Sequence, residues 1–383
     1  MRKDWEYKKL GEVAFYPNDK ISVDKIGANH YVGVENLLKD KAGILFSDQL
    51  PNAATATCFK YNDILLGNIR PYLKKIWLSN TEGGASGDVI VIRTSSDNIL
   101  PNYLFKLLSS DKFFNYFNLY TKGAKMPRGD KNAIAKFIVP TPPKPTQLAI
   151  VAELDKINEL IQLKKQQLKD YDQLAQSIFY EMFGDPVENE KGWEVKNIES
   201  VCSSIVRGPF GSALKKDFFV PKNNSTYKIY EQKNAIQKNA SIGSYYITEE
   251  RFKELSRFEL LPGDIIMSCS GTIGELYRIP VNAEKGIMNQ ALLKFSLLKQ
   301  INFLYFLYLM DYVKKEFTIR GSGLQNIGSV KIIKSMKFGL PPLPLQQQFA
   351  ARIEAIERQK QQVSETIKDL ETLLASRMQY WFD

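Results

Sequence analysis

The segment TPPKPTQLAI at 141–150 decides the organisation of this chain, because a second version of it, LPPLPLQQQF, lies at 340–349. After these segments the chain runs on, to 183 and to 383 respectively, without proline or glycine. Proline lacks an amide hydrogen and disrupts a helix interior, so each proline-rich segment predicts an extended linker that ends where a long helix begins. The sequence therefore predicts a duplicated linker and helix.

The duplication also covers the residues before each linker. Three further pairs of segments recur in the same order: WEYK at 5–8 with WEVK at 193–196, YNDILLGNIR at 61–70 with LPGDIIMSCS at 261–270, and NYLF at 102–105 with NFLY at 302–305. Strand-like runs such as DVIVIR at 88–93 alternate with turns and an amphipathic helix predicted at 103–117. The expected fold class is α+β, with two pseudo-repeated domains at 1–145 and 186–344 and two long helices at 146–185 and 345–383.

Both long helices carry apolar residues at the alternating three- and four-residue spacing of a coiled-coil seam. A single helix of this length would expose that stripe, so the two helices are expected to pair with each other. The short connection at 185–192 and the tandem repeat predict that the pair is antiparallel. Lys164 and Lys360 interrupt the seam, and the sequence assigns them no role. The predicted pairing residues are Leu154, Ile157, Ile161, Leu168, Ile353, Ile356, Val363, Ile367 and Leu370.

The composition is that of a folded protein with a surplus of cations. Lys+Arg number 52 against Asp+Glu 42, and a net charge of +10 is a moderate indication of a polyanionic partner such as nucleic acid. Cys58, Cys202 and Cys269 are far apart and form no CxxC pair, which excludes a disulfide framework and a thiolate zinc site. We expect a soluble protein of a reducing, cytoplasmic compartment, with no membrane partner and no metal site.

No catalytic residue is predicted. The sequence contains neither a phosphate-binding G-x-x-x-x-G-K-[ST] loop nor the [DN]-P-P-[YF] tetrapeptide of adenine methyltransferases. His30 is the sole histidine and has no neighbouring ligand cluster, so it is interpreted as an ordinary surface or packing residue. The chain by itself is therefore expected not to be an enzyme.

Cations and amide side chains concentrate in glycine-framed loops. Such loops suit phosphates, while Arg, Gln and Asn can pair with base edges. A solvated loop remains the ordinary alternative for any single residue, but the recurrence of basic glycine loops at 121–132 and 320–326 favours nucleic-acid binding for the set. The candidate DNA-binding residues are Arg70, Lys74, Lys75, Lys125, Arg128, Lys131, Arg207, Ser270, Thr272, Arg320, Ser322, Gln325 and Asn326.

The order of these segments resembles the specificity subunit of Type I restriction-modification systems over essentially the full length. The resemblance is carried by the Pro-Pro linkers before Gln147 and Gln346 and by NIRPYLKKI at 68–76, GASGDVIVIR at 84–93, LAQSIFYEMFGD at 174–185, GDIIMSCSGTIG at 263–274 and GIMNQALL at 286–293. The linkers end in PTQ and PLQ where a Glu-Gln pair is common in the family, and the second helix lacks the counterpart of Gly184.

The resemblance implies a division of labour among subunits. Two target-recognition domains would each read one half of a split, asymmetric site in double-stranded DNA, and the paired helices would fix the spacer between the halves. Two modification subunits would dock on the helices and bring S-adenosylmethionine-dependent adenine-N6 methylation. Restriction subunits would add translocation and cleavage with ATP and Mg, so that this chain holds no cofactor of its own.

Two alternatives remain at the level of sequence. One is a coiled-coil scaffold that binds proteins without sequence-specific DNA binding, which a salt-dependent shift of duplex DNA would set aside. The other is a stand-alone enzyme, which an assay of the purified chain for nuclease or methyltransferase activity would test.

Overall fold

The computed structural model describes residue 2 and residues 4–95, 97–123, 125–314, 319–320, 326–327 and 330–383, with the backbone alone at 211–212, 319–320 and 326–327. The chain divides into two compact units. Unit 1 comprises Met1–Gln166 with Val363–Asp383, and unit 2 comprises Gln167–Gln362. Among the described residues, no helix has the length and apolarity needed to cross a membrane.

Each unit contains short helices and part of two very long ones. The described α-helices are α1 Leu10–Val13, α2 Pro101–Leu108, α3 Asp111–Leu119, α4 Lys131–Ile134, α5 Lys144–Phe183, α6 Gln232–Ile236, α7 Glu249–Glu254, α8 Phe303–Val313, α9 Val330–Ser335 and α10 Leu343–Phe382. The single helix predicted at 103–117 is wrong, because α2 and α3 are separate. The Ser110 side chain accepts a hydrogen bond from the Phe113 amide and starts a new helix there.

The strands of unit 1 form two four-stranded sheets and two short pairs. The sheets have the orders β2-β9-β6-β7 and β3-β5-β8-β4, and the pairs are β1-β12 and β10-β11. The strands are β1 Glu6–Lys9, β2 Ala14–Phe15, β3 Lys20–Ser22, β4 Tyr31–Val32, β5 Thr55–Phe59, β6 Ile64–Gly67, β7 Ile76–Leu78, β8 Gly83–Ala85, β9 Val89–Thr94, β10 Thr121–Lys122, β11 Arg128–Gly129 and β12 Ile138–Thr141.

Unit 2 repeats this plan with one difference. Its sheets have the orders β14-β21-β18-β19 and β16-β15-β20-β17, and its pairs are β13-β24 and β22-β23. The parallel pair lies at the edge of the second sheet in unit 1 (β4 with β8) and in its middle in unit 2 (β15 with β20). The strands are β13 Glu194–Asn197, β14 Cys202–Arg207, β15 Thr226–Tyr230, β16 Tyr246–Thr248, β17 Glu259–Leu260, β18 Ile265–Ser268, β19 Leu276–Arg278, β20 Gly286–Met288, β21 Leu292–Leu297, β22 Ile319–Arg320, β23 Asn326–Ile327 and β24 Lys337–Leu340.

A buried glutamine fixes the start of each long helix. The Gln147 side chain is fully buried, accepts from the Leu100 amide at 2.9 Å and donates to the Pro142 carbonyl at 2.8 Å. Gln346 is equally buried, accepts from the Asn302 amide at 2.8 Å and donates to a proline carbonyl at 2.8 Å. The repeated contacts show that the duplication extends to individual hydrogen bonds.

The long helices begin just before the predicted boundaries of 146 and 345. Helix α5 starts at Lys144 and α10 at Leu343, so Pro145 and Pro344 lie in the first turn instead of in the linker. The missing amide hydrogen of proline costs nothing there, because the first amides of a helix have no partner within it.

The predicted seam is buried along both helices. Leu168 and Leu370 are half-buried. The other seven predicted pairing residues are buried, with exposed fractions of 8% or less: Leu154, Ile157, Ile161, Ile353, Ile356, Val363 and Ile367. All nine side chains are therefore buried or half-buried, and their pairing across the two helices stays a prediction.

Ion pairs across the helices show that α5 and α10 run antiparallel within each unit. In unit 1, Lys165 Nζ lies 2.9 Å from Glu371 Oε1, and Glu153, earlier in α5, pairs with Arg377, later in α10. In unit 2, Lys360 Nζ lies 2.8 Å from Asp172 Oδ1, and the ring centre of Phe349, earlier in α10, lies 5.5 Å from that of Phe179, later in α5. The polar interruption of the seam at Lys360 is thus an ion pair between the helices.

The two ends of the chain meet in unit 1. The Trp5 and Trp381 rings stack with centroids 6.3 Å apart, and the Arg2 guanidinium lies 4.5 Å from the Trp381 centroid. Lys112 Nζ donates to the Phe382 carbonyl at 2.6 Å. The end of α10 therefore completes the core of the domain with which the chain begins.

Candidate nucleic-acid interface

Two of the predicted basic loops of unit 1 form one surface. The Arg70 amide in loop 68–75 donates to the Pro127 carbonyl at 2.8 Å. The Gly129 amide donates to the carbonyl and to the side-chain oxygen of Asn68, at 3.2 and 3.1 Å. We call loop 68–75 together with residues 121–123 and 125–131 the hairpin surface.

Several candidate cations lie exposed on the hairpin surface. They include Arg70 and Lys125, the latter beside the tip of the β10-β11 pair. Arg70 has a φ of 51°, a left-handed conformation that is unfavourable for a side-chain-bearing residue and persists only where the surroundings impose it. The backbone thus holds Arg70 in one place beside the hairpin.

The remaining exposed cations of the hairpin surface have partners. The Arg128 guanidinium lies 2.9 Å from Asp88 Oδ1, and Lys131 Nζ lies 5.9 Å from the centre of the Tyr16 ring. The Lys122 ammonium hydrogen-bonds the Asp130 carboxylate and, as the largest cause, holds the pKa of Asp130 below its ordinary value. Exposed pairs of this kind are weak, so a phosphate can compete for these cations.

Lys74 and Lys75 bind groups within unit 1. Lys74 Nζ lies 2.6 Å from Asp111 Oδ1, and this hydrogen bond is the main reason that the pKa of Asp111 lies below its ordinary value. Lys75 Nζ donates to the Val34 carbonyl at 2.6 Å, and burial lowers the pKa of Lys75. Contact between these two lysines and DNA stays a prediction, with both ammonium groups engaged in the protein.

Unit 2 has a second hairpin at the corresponding place. Arg320 in β22 faces Asn326 in β23, just as Lys122 faces Arg128 in unit 1. The side chains of Arg320 and Asn326 are among those not described. Two further candidates, Ser322 and Gln325, lie outside the described residues.

The other candidates of unit 2 gather where four strands end. The Gly208 amide after β14 donates to the Leu292 carbonyl at 3.0 Å, and the Cys269 amide after β18 donates to the Ala291 carbonyl at 2.7 Å. The strands β15 and β20 also end here. The amide of Asn289, which follows β20, donates at 2.9 Å to the carbonyl of Tyr230, the last residue of β15. We call residues 207–210, 231–232, 268–274 and 289–290 the strand-end edge.

Arg207 is held in place at the strand-end edge. Its guanidinium lies 5.1 Å from the centre of the Phe210 ring, and its Nε donates to the Gln290 carbonyl at 3.4 Å. Phe210 is 64% exposed although it is large and apolar. An exposed ring that carries an arginine is suited to recognising a planar or anionic partner.

Loop 268–274 of the strand-end edge carries the candidates Ser270 and Thr272. The Ser268 hydroxyl donates to the Thr272 carbonyl at 2.6 Å and closes the loop. Gly271 has a φ of 65°, which favours glycine at the turn. The structure thus brings Arg207, Ser270 and Thr272 to one edge, together with Phe210, which the sequence analysis missed as a site residue.

The sole histidine lies outside any metal-binding cluster in the described part of the chain. His30 is exposed, and its Nδ1 lies 2.8 Å from the Glu82 carbonyl oxygen. Among the residues that the structure describes, no group of three His, Cys, Asp or Glu side chains could hold a metal ion.

The duplicated architecture agrees with a known protein family. The family model described as the Type I restriction modification DNA specificity domain matches residues 2–170 and again residues 190–372. The chain belongs to this family. The double match gives the specificity subunit two recognition domains, and it does not favour a coiled-coil scaffold without sequence-specific DNA binding.

Individual relatives agree with the family match. The Type I restriction enzyme MjaIX specificity subunit of Methanocaldococcus jannaschii is 23% identical over 385 residues, which cover 92% of this chain and 87% of that one. A solved structure on complex assembly and conformational transition of the type I R-M system contains a chain that matches with a TM-score of 0.68 at 21% identity, over 100% of this chain and 98% of that one. The S subunit of a Type-I system from M. genitalium matches with a TM-score of 0.50 at 11% identity, over 98% and 95%. These structural likenesses support the shared fold.

Proposed function

We propose that each recognition domain of this specificity subunit reads one half of a bipartite target in double-stranded DNA, and that α5 and α10 fix the spacer between the halves. The observation that carries the proposal is that both units contain the same sheet, the same hairpin and a long helix whose start is fixed by a buried glutamine. Two complete domains can read two separate half-sites.

The same proposal assigns the chemistry to partner subunits. Two modification subunits dock on the long helices and hold S-adenosylmethionine, and restriction subunits use ATP and Mg in the cytoplasm. This chain contributes DNA binding and no catalytic step. The net charge of +10 supports a polyanionic partner.

Exchange of the first domain tests the assignment of half-sites. Residues 10–137 are the segment to exchange with a homologous domain, because the Leu10 amide donates to the Phe137 carbonyl at 2.8 Å and closes the domain just inside the β1-β12 pair. We expect one half-site to change and the other to stay, as read by sequencing of methylated DNA from cells that carry the hybrid and its modification partner. A change in both half-sites would contradict the proposal.

The exposed cations of the hairpin surface are expected to bind phosphates. Replacing both Arg70 and Lys125 with Ala should weaken binding to cognate and random duplexes alike. It should also reduce the slope of log affinity against log salt by about 0.9 for each lost phosphate contact. Fluorescence anisotropy across a salt series measures both effects.

The matched control for this variant is Lys156→Ala on α5, where the lysine is 64% exposed and pairs only with its helix neighbour Glu159 among the ion pairs of the described residues. That change should leave the salt slope unaltered. If the Arg70→Ala/Lys125→Ala variant kept the wild-type slope, the hairpin surface would not be a phosphate-binding surface.

A further inference from the structure

Gln232 occupies an unusual position at the strand-end edge of unit 2. It is the first residue of α6, two residues after the end of β15, and its side chain is half-buried. Its Oε1 is buried and accepts no hydrogen bond from the described residues. A buried acceptor without a donor is unfavourable. A turn of this half-buried carboxamide towards solvent would bring Oε1 to a donor from outside the fold and would break no hydrogen bond to Oε1 from the described residues.

The side chain faces a part of the edge that is open to solvent. Gln232 Nε2 lies 3.8 Å from the place that a Cβ on Gly271 would occupy. Gly271, Thr272 and Gln290 are all exposed at this edge. An outside molecule that contacts loop 268–274 therefore lies beside the carboxamide.

The first domain shows that the fold does not require an amide here. In unit 2 the Glu231 amide donates to Asn234 Oδ1 at 2.8 Å, and in unit 1 the Gly33 amide donates to Asn36 Oδ1 at 2.7 Å in the same local turn. The position that corresponds to Gln232 is therefore Val34. This position is a valine in the first domain and a glutamine in the second. The shared turn therefore does not need an amide side chain, which is the pattern expected of a residue that serves recognition.

We infer that Gln232 is a specificity-determining residue that pairs with an adenine in the half-site of the second domain. The inference rests on the proposed function, in which this domain reads DNA. In the major groove adenine presents the N6 donor next to the N7 acceptor, which matches the acceptor and donor of a carboxamide. Guanine presents two acceptors and thymine an acceptor and a methyl group, so neither supplies the donor that Oε1 lacks. Cytosine supplies the N4 donor but no neighbouring acceptor for Nε2, so adenine alone matches both ends of the carboxamide.

The test compares the intact wild-type chain with Gln232→Leu, each with its modification partner. The wild type should discriminate against replacement of one A·T pair in one half-site by about 5- to 150-fold, the ordinary range for a bidentate base contact. Gln232→Leu should reduce this factor to near one at that pair and leave every other position unchanged. Methylated-site sequencing locates the pair, and competition binding with single-substituted duplexes measures the factor.

Two further variants keep the inference falsifiable. Gln237→Leu alters an exposed glutamine that follows the same short helix, and it should leave all discrimination intact. Gln232→Glu keeps the shape but replaces the amide donor with an acceptor, so it should also lose the preference for adenine even if Gln232→Leu fails to fold. If a folded Gln232 variant kept wild-type discrimination at every position, Gln232 would not read a base.

The same measurements separate this inference from the function on which it rests. A wild-type chain that discriminated at neither half-site would overturn the proposed function and the inference with it. A wild type that reads two half-sites, together with folded Gln232 variants that read them equally well, would overturn only the role of Gln232.

Discussion

Replacing Ile157 and Ile367 together with Asp is expected to unfold unit 1. Both side chains occupy predicted seam positions and are buried, with exposed fractions of 7% and 8%. A buried carboxylate without a partner costs about 3–5 kcal/mol, and a domain has only about 5–15 kcal/mol of stability in total. Two such charges should therefore abolish the cooperative thermal unfolding transition of unit 1, followed by circular dichroism.

The matched control places the same charges on the exposed sides of the same helices. Leu163 on α5 and Leu373 on α10 are 57% and 45% exposed, so Leu163→Asp/Leu373→Asp should change the free energy of unfolding by less than about 1 kcal/mol. If the Ile157→Asp/Ile367→Asp variant unfolded at the wild-type temperature, the prediction that these two side chains are buried in the helix seam would be wrong.

The long helices could be predicted from the sequence because their signal is local and repeated. An apolar residue at every third or fourth position specifies a buried stripe, and proline and glycine mark where the helix can start and stop. The error at the start of α5 has a local cause too. Proline is excluded from a helix interior but accepted in the first turn, so the prediction placed the boundary after Pro145 instead of before it.

The folded domains were harder to predict because their strands pair over long distances. The sequence repeat indicated that both halves share a plan. Each unit nevertheless adds one strand at a different edge of its second sheet: β3 beside β5 in unit 1, and β16 beside β15 in unit 2. Strand order depends on contacts between distant segments, which no local pattern specifies. For the same reason the sequence predicted an α+β domain without its topology.

The candidate site shows the same limit at the level of side chains. Lys74 and Lys75 look like free loop cations in the sequence, but their partners, Asp111 and the Val34 carbonyl, come from other elements. Gln232 was missed because its unpaired acceptor exists only once β15 and loop 268–274 lie together. The polar pair Glu231-Gln232 directly after strand β15 was the available signal.

The proposed ruler predicts a change in target spacing when both helices are lengthened. Four residues of helix inserted after Gln166 and after Gln362, where the two units divide within α5 and α10, should add one turn to each helix without altering a reading loop. The added length is about 6 Å and the added rotation about 40°. One base pair adds about 3.4 Å of duplex and about 35° of rotation.

The spacer between the half-sites should therefore grow by one or two base pairs, with both half-sites unchanged. Sequencing of methylated DNA from cells that carry the lengthened chain and its modification partner measures the spacer directly. The control replaces the exposed residues Gln162, Leu163, Arg358 and Gln359 with alanine and adds none. It changes composition near both insertion points without changing length and keeps Lys165 and Lys360 in their ion pairs, so it should keep the wild-type spacer. If the lengthened chain methylated the original target at the wild-type level, the helices would not set the spacing. A rigid pair that is longer by one turn would hold the two domains too far apart to bind the original half-sites together.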